Sequence, residues 1–68
     1  MDANQLISGM IVKDSQGTKV KVTYVPPLDK YGECFFSGIV LESKEDYLQE
    51  YIGKNIDQNW NSAFYNKV

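Results

Sequence analysis

The alternation of hydrophobic and polar residues predicts a series of short β-strands. The clearest alternation spans residues 18–25, where Val20, Val22 and Tyr24 fall on one face and polar residues fall on the other. This period of two is typical of a strand with one buried face and one solvent-exposed face. The β-branched run before it, residues 10–13, predicts a first strand. An Asp and a Gly between the two runs predict a tight turn, which would join them into a hairpin.

Residues 33–42 form the most apolar run in the chain and predict its central strand. Apolar side chains occupy both faces of this strand: Cys34, Phe36 and Val40 on one, and Phe35, Ile39 and Leu41 on the other. A strand that is apolar on both faces is either covered on both sides or strongly bent. Since a chain of 68 residues is too short to cover a flat sheet twice, Gly38 predicts a bend between two small sheets of a partly open barrel.

The segment after the central strand fits two structures. As a helix it would begin at Ser43, place Tyr47 and Tyr51 one turn apart, and end at Gly53. In the alternative for residues 44–52, the polar residues before Tyr47 would form a hairpin turn and a strand would begin at Tyr47. We favour the strand, because the second half of the central strand needs a partner and the next segment along the chain is the nearest one.

The last third of the chain predicts one helical turn followed by a closing strand. Ile56, Trp60 and Phe64 have helical spacing, and Asp57 is a suitable N-cap. Such a turn would place Trp60 and Phe64 over an open end of the barrel. Residues 64–68 then predict a short strand that pairs with the first one.

Size and composition indicate a single domain, residues 1–68, with residues 1–8 as a short N-terminal arm. The hydrophobic fraction of 43% and the aromatic fraction of 13% are sufficient for a packed core. The formal net charge of -2 and the absence of Arg disfavour binding to nucleic acid without excluding it, because that binding depends on basic side chains.

The residues that usually carry chemistry are scarce. The chain has no His and one cysteine, Cys34, whose position in the apolar central run predicts a buried and unreactive thiol. We therefore expect no enzyme activity, no cofactor and no metal site. No signal-peptide pattern and no run of about 18 apolar residues is visible, so we expect a cytoplasmic protein with no membrane partner.

The pattern Phe36-Ser37-Gly38-Ile39-Val40, then Ile52-Gly53, then Trp60 and Phe64, is similar to short uncharacterised SH3-like proteins of bacteria and their mobile elements. The resemblance covers about two-thirds of the chain. It implies an all-β, SH3-like, partly open five-stranded barrel with one short helical turn near the C-terminus. It also implies a role in binding peptide, protein or nucleic acid, through aromatic residues beside the first long loop.

We therefore predict a small non-catalytic binding module that meets a protein partner, or a second copy of itself, through an aromatic face of the barrel. The candidate aromatic residues are Tyr24, Tyr31 and Tyr47, of which Tyr31 lies in the longest predicted loop.

The alternative is a nucleic-acid-binding domain in which lysines contact phosphates and Tyr31 or Trp60 stacks on a base. The candidate lysines are Lys13, Lys19 and Lys21. Lys19 and Lys21 also have an interpretation that needs no ligand, since lysines on an edge strand deter aggregation.

Overall fold

In the computed structural model, which describes residues 3–68, the chain forms one open antiparallel sheet. Its strands are β1 (Ile11–Lys13), β2 (Lys19–Tyr24), β3 (Phe35–Glu42), β4 (Asn55–Asn61) and β5 (Asn66–Lys67). Their order across the sheet is β4-β3-β2-β1-β5, so β4 and β5 are the edges. The helical segments described are short 3₁₀ helices at Ala3–Gln5, Asp46–Tyr51 and Ser62–Phe64. The predictions of an all-β domain with five strands and a short helical turn near the C-terminus are confirmed.

The first hairpin forms as the alternation predicts. Val12 of β1 pairs with Val20 of β2, and both side chains are fully buried. Val22 is buried as well, whereas Tyr24, predicted on the same face, is 52% exposed. A register shift between Val22 and Tyr24 explains the difference, because a bulge changes the direction of the side chains that follow it.

Two turns of the chain share one geometry. In the β1–β2 turn, Oδ1 of Asp14 accepts hydrogen bonds from the backbone N–H groups of Gln16 and Thr18, at 3.0 and 2.9 Å. In the β2–β3 loop, Oδ1 of Asp29 accepts from the N–H groups two and four residues ahead, at 2.8 and 2.9 Å. Each turn has a Gly with positive φ three residues after the Asp. In both turns, the Asp carboxylate thus serves as hydrogen-bond acceptor in place of a backbone carbonyl.

The central strand, β3, is buried on one face only. Cys34, which precedes the strand, and Phe36 and Val40 within it are at most 1% exposed, as predicted for that face. On the other face Phe35 and Leu41 are 37% and 39% exposed, which agrees with the expectation that so short a chain does not cover both faces of the strand. No second layer of the described chain covers this face of the sheet.

The pairing of β3 with both of its neighbouring strands is irregular. Pairing shifts register within both the β2–β3 and the β3–β4 ladders. The strands join in one continuous sheet instead of two separate ones. Gly38 is required for another reason: a Cβ at this position would overlap the Val20 side chain and lie 2.9 Å from the carbonyl oxygen of Lys21.

The favoured strand over residues 44–52 is wrong, since Asp46–Tyr51 is a 3₁₀ helix. The Gln49 side chain donates hydrogen bonds to the backbone carbonyls of Ser43 and Glu45, at 2.6 and 3.2 Å, and so secures the start of the helix. The helix buries the Leu48 side chain in the core. It does not add a strand beside β3.

The partner of β3 is instead β4, in the segment for which a helical turn was predicted. Asn55–Asn61 is an edge strand whose side chains are mostly exposed, so it carries little hydrophobic signal. Asp57 lies inside this strand and is not an N-cap. Asn61 caps the following 3₁₀ helix by accepting a hydrogen bond from the Ala63 N–H at 3.0 Å.

Both ends of the described chain join the core. Leu6, in the predicted N-terminal arm, is 5% exposed, and β5 pairs with β1 as predicted for the closing strand. Residues 1 and 2 of the arm lie outside the described residues. The buried hydrophobic residues are Leu6, Val12, Val20, Val22, Cys34, Phe36, Val40, Leu48, Trp60 and Tyr65.

Candidate binding groove

A groove of about 630 Å³ opens where the β1–β2 turn meets the ends of β3 and β4 and two 3₁₀ helices. We call it the aromatic groove. Its lining residues are Asp14, Ser15, Gln16, Phe35, Tyr47, Asn59, Trp60, Asn61, Phe64 and Tyr65. Five of these ten side chains are aromatic, which is far above the 13% aromatic content of the chain.

The floor of the aromatic groove is rigid. Trp60 and Tyr65 are 4% and 6% exposed, and their rings meet edge to face at a centroid distance of 6.1 Å. Tyr65 makes a second edge-to-face contact with Phe36, at 5.5 Å. The Trp60 indole N–H donates to the carbonyl oxygen of Gly38 at 3.4 Å. Aromatic pairs of this geometry add to the stabilisation from buried area, so the floor is fixed before any ligand arrives.

The walls of the aromatic groove are exposed rings. Tyr47 and Phe64 are each 68% exposed, and Phe35 is 37% exposed. Tyr47 comes from the helix after β3 and Phe64 from the helix after β4. The two short helices leave the rings of Tyr47 and Phe64 exposed to solvent beside the buried floor. The groove therefore offers apolar area that a ligand can cover.

Asp14 supplies the charge of the aromatic groove. Burial raises the pKa of the Tyr65 hydroxyl well above its usual range, and the nearby Asp14 carboxylate raises it further. The nearby Tyr47 adds a smaller contribution. Tyr65 therefore stays protonated at alkaline pH values at which an ordinary tyrosine ionises.

Of the three tyrosines predicted as binding residues, Tyr47 lines the aromatic groove. Tyr24 and Tyr31 do not line it. Tyr31 is 76% exposed in the β2–β3 loop, as predicted, and the Lys30 ammonium lies 5.1 Å from its ring centroid. The predicted aromatic residues thus do not form one surface with Tyr47 at this groove.

The predicted lysines do lie together. Lys13 pairs directly with Lys19 across the β1–β2 hairpin, and Lys21 follows on the same face of β2. Lys19 also forms an ion pair with Glu42 at 3.6 Å. Since β2 is the middle strand of the sheet, the interpretation of Lys19 and Lys21 as edge-strand protection is wrong.

Cys34 is 1% exposed, and its thiol lies 3.5 Å from the Pro26 carbonyl oxygen. Burial raises the pKa of the Cys34 thiol, and the charge of Asp29 raises it further. This environment favours the protonated, unreactive form.

Within residues 3–68, no three His, Cys, Asp or Glu side chains lie close enough together to hold a metal ion. None of the helices in that range has the length and apolar character needed to cross a membrane.

Sequence reasoning missed most of the aromatic groove. Trp60 and Phe64 were predicted to cover an open end of the barrel together, but Trp60 is buried in the groove floor and Phe64 is exposed at its wall. The sequence pattern places Asp14 in a tight turn and does not indicate that it belongs to a binding site. Asp14 and Tyr65 line the groove together although they are 51 residues apart in the chain, and nothing in the local pattern of either indicates this.

Comparisons of the chain with protein-family models, with curated proteins and with solved structures found no significant match.

Proposed function

We propose that this chain is a small, non-catalytic, SH3-like binding module of the cytoplasm, and that the aromatic groove holds a segment of a partner protein. The observation that carries the proposal is the pair of exposed rings, Tyr47 and Phe64, beside the fixed floor of Trp60 and Tyr65. A buried, free cysteine is compatible with a reducing compartment.

The energetic argument rests on preorganisation. Large aromatic side chains dominate protein–protein contacts, because each covers much area while losing little conformational entropy. The floor is already ordered by its ring contacts, so binding has to immobilise mainly Tyr47 and Phe64. A partner segment that covers both rings would release the water they now contact.

The test is capture of a partner by the immobilised domain, using lysate of cells that naturally contain it. Tyr47→Ala and Phe64→Ala should each reduce the captured amount strongly, whereas Tyr24→Ala and Tyr31→Ala should not. The second pair provides matched controls, because both residues are exposed tyrosines outside the groove. Equal capture by all four variants would refute the groove as the binding surface.

Self-association is the form of this proposal in which the partner is a second copy. Analytical ultracentrifugation over a range of concentrations tests it directly. A dimer that dissociates in Phe64→Ala but persists in Tyr31→Ala would place the groove in the dimer interface. A dimer that persists in both variants would place the interface elsewhere.

A second candidate function, nucleic-acid binding, is favoured by the lysine cluster on the outer face of β1 and β2. Like charges directly opposite each other destabilise a strand pair, yet Lys13 and Lys19 occupy such positions, with Lys21 beside them. A phosphate backbone would relieve this repulsion.

A mobility-shift titration over salt tests the second candidate. Binding at about 100 mM salt that weakens steeply as salt rises would support it, because release of counterions drives such binding. Lys13→Gln and Lys21→Gln should then weaken binding, and Lys30→Gln, in the β2–β3 loop, is the control. The absence of a shift at low salt would remove this candidate.

A further inference from the structure

We infer that the aromatic groove selects a partner segment that presents a cationic side chain, the guanidinium of arginine or the ammonium of lysine, between apolar residues. This inference rests on the proposed function, since it specifies the chemistry of the segment that the groove holds. Three observations carry it: the charges of the lining, the way in which Asp14 is held, and the arrangement of the rings.

The lining is complementary to a cation. Among the described residues that line it, Asp14 is the only charged one, and the others are aromatic, amide or hydroxyl side chains. Aromatic ring faces attract cations because their π-electrons are negative. An anionic ligand would meet a carboxylate and five rings in this groove, with no basic side chain to offset the repulsion. The groove therefore discriminates against phosphate and carboxylate ligands.

Asp14 is held in place without a cationic partner. Its Oδ1 accepts hydrogen bonds from two backbone N–H groups of the β1–β2 turn, and the residue lines the groove together with Tyr65. Among the described residues it forms no ion pair. The stem of Lys44 lies near Gly17 in the same turn, within 3.9 Å of a Cβ built there, but makes no ion pair with Asp14.

These contacts leave a place for a ligand donor. An ionised carboxylate offers about four acceptor positions, and the hydrogen bonds of Asp14 to the turn use two of them, both on Oδ1. A bound guanidinium or ammonium would meet Oδ2. Since the turn already fixes the carboxylate, little conformational entropy is lost when it meets the cation.

The exposed rings of the groove can pack against the apolar residues that flank the cation in the bound segment. Tyr47 and Phe64 are both exposed walls of the groove, so apolar side chains of the segment can cover them while its cation meets Asp14. A short segment with a basic residue between two leucines has this chemistry. A long polyanion, such as a nucleic-acid strand, does not.

The test uses three peptides of the sequence Gly-Ser-Leu-X-Leu-Ser-Gly, in which X is arginine, glutamine or glutamate. Fluorescence anisotropy of the labelled peptides gives affinities, and the emission of Trp60, the only tryptophan of the chain, reports whether the groove floor is covered. The arginine peptide should bind best and the glutamate peptide worst.

The decisive variants are Asp14→Asn and Asp29→Asn. Asparagine keeps the oxygen that accepts the turn hydrogen bonds, so both variants should fold. The two variants change the net charge equally, and Asp29 makes the same turn outside the groove. Asp14→Asn should weaken binding of the arginine peptide about tenfold, because a charge-assisted hydrogen bond contributes about that factor. It should change binding of the glutamine peptide little. Asp29→Asn should change neither.

The outcomes separate this inference from the proposed function. If the arginine and glutamine peptides bind equally and Phe64→Ala weakens both, the groove binds peptide but the selection for a cation is refuted. If Asp29→Asn weakens the arginine peptide as much as Asp14→Asn does, the effect is one of net charge and the inference also fails. If none of the peptides binds and Trp60 emission stays unchanged, both proposals are contradicted.

Discussion

At the scale of single residues, Gly38 of β3 lies opposite Val22 of β2 at a position with no room for a side chain. A Cβ there would overlap the side chain of Val20 and crowd the carbonyl of Lys21. Gly38→Ala should therefore destabilise the domain by about 1–3 kcal/mol, the usual cost of an overpacked core. In an unhindered strand the same change would stabilise the protein by about 0.5–1 kcal/mol, so the sign of the effect is itself informative.

Urea denaturation of Gly38→Ala, Val20→Ala and the double variant measures this clash. Val20→Ala removes the methyl groups that a new Cβ would meet, so the double variant should lose less stability than the sum of the single variants. Strict additivity would show that Val20 is not the residue that requires a glycine at position 38.

Tyr65 makes the stability of the domain depend on alkaline pH. Its pKa is raised in the folded state, chiefly by burial, whereas an unfolded tyrosine has a pKa of about 10. Above pH of about 10 the unfolded chain releases this proton while the folded chain retains it, so stability falls as pH rises. The loss should approach about 1.4 kcal/mol per pH unit for this one group.

The comparison of the wild type with Tyr65→Phe isolates this effect, since phenylalanine keeps the ring contacts with Phe36 and Trp60 but has no hydroxyl proton. Urea midpoints between pH 8 and pH 11 should fall more steeply for the wild type. Parallel curves for the two proteins would contradict the assignment.

At the scale of elements, β4 contains a bulge of three residues at its centre. Phe36 pairs with Trp60 and Gly38 with Ile56, so three residues of β4 oppose Ser37 alone. Gln58, in the middle of these three, has a φ of 46°. Its backbone N–H donates to the Ser37 hydroxyl at 2.9 Å, which ties the bulge to β3. A long side chain at positive φ has a conformational cost that glycine does not have.

Substitutions at Gln58 should therefore reverse the usual preferences of a strand. Gln58→Gly should leave stability within about 0.5 kcal/mol of the wild type, whereas Gln58→Val should cost about 1–2 kcal/mol, because β-branched residues tolerate positive φ poorly. The same pair of substitutions at Asn59, an exposed neighbour without positive φ, should favour valine over glycine. Thermal unfolding of the four variants gives the comparison, and the same ranking at both positions would contradict the role of the bulge.

The elements that sequence could predict are those whose own residues determine them. The alternation of residues 18–25 marks β2, and the Asp and Gly of the β1–β2 turn mark the hairpin. For the segment of the 3₁₀ helix Asp46–Tyr51, the pattern left helix and strand open, and the local hydrogen bond from Gln49 to Ser43 favours the helix. β4 could not be predicted in this way, because it depends on its ladder with β3, a tertiary contact.

The same distinction explains the candidate site. The exposure of Tyr31 could be predicted, because a loop after two prolines is solvated. The aromatic groove could not, since Phe35, Tyr47 and Phe64 become neighbours only when both 3₁₀ helices are placed. Exposed aromatic residues at a groove look like core residues in a sequence.

At the scale of the whole molecule, the two ends of the chain complete the sheet and the core. The Val68 N–H donates to the Ile11 carbonyl at 3.1 Å, and Tyr65 and Leu6 are buried in the same cluster. A single hydrophobic core of this size contributes only about 3–5 kcal/mol. Residues near the termini, which are often dispensable in larger proteins, therefore contribute a substantial part of the stability here.

Leu6 and Ile7 test this dependence on the N-terminal arm. They are adjacent and similar in size, but Leu6 is 5% exposed in the core and Ile7 is 64% exposed. Leu6→Ala should cost about 2–3 kcal/mol, which is the range for truncating a buried leucine, and would remove much of the stability of the domain. Ile7→Ala should change stability by less than about 0.5 kcal/mol. Equal effects in urea denaturation would mean that the arm does not hold Leu6 in the core, and the rest of the sheet would then have to account for the stability by itself.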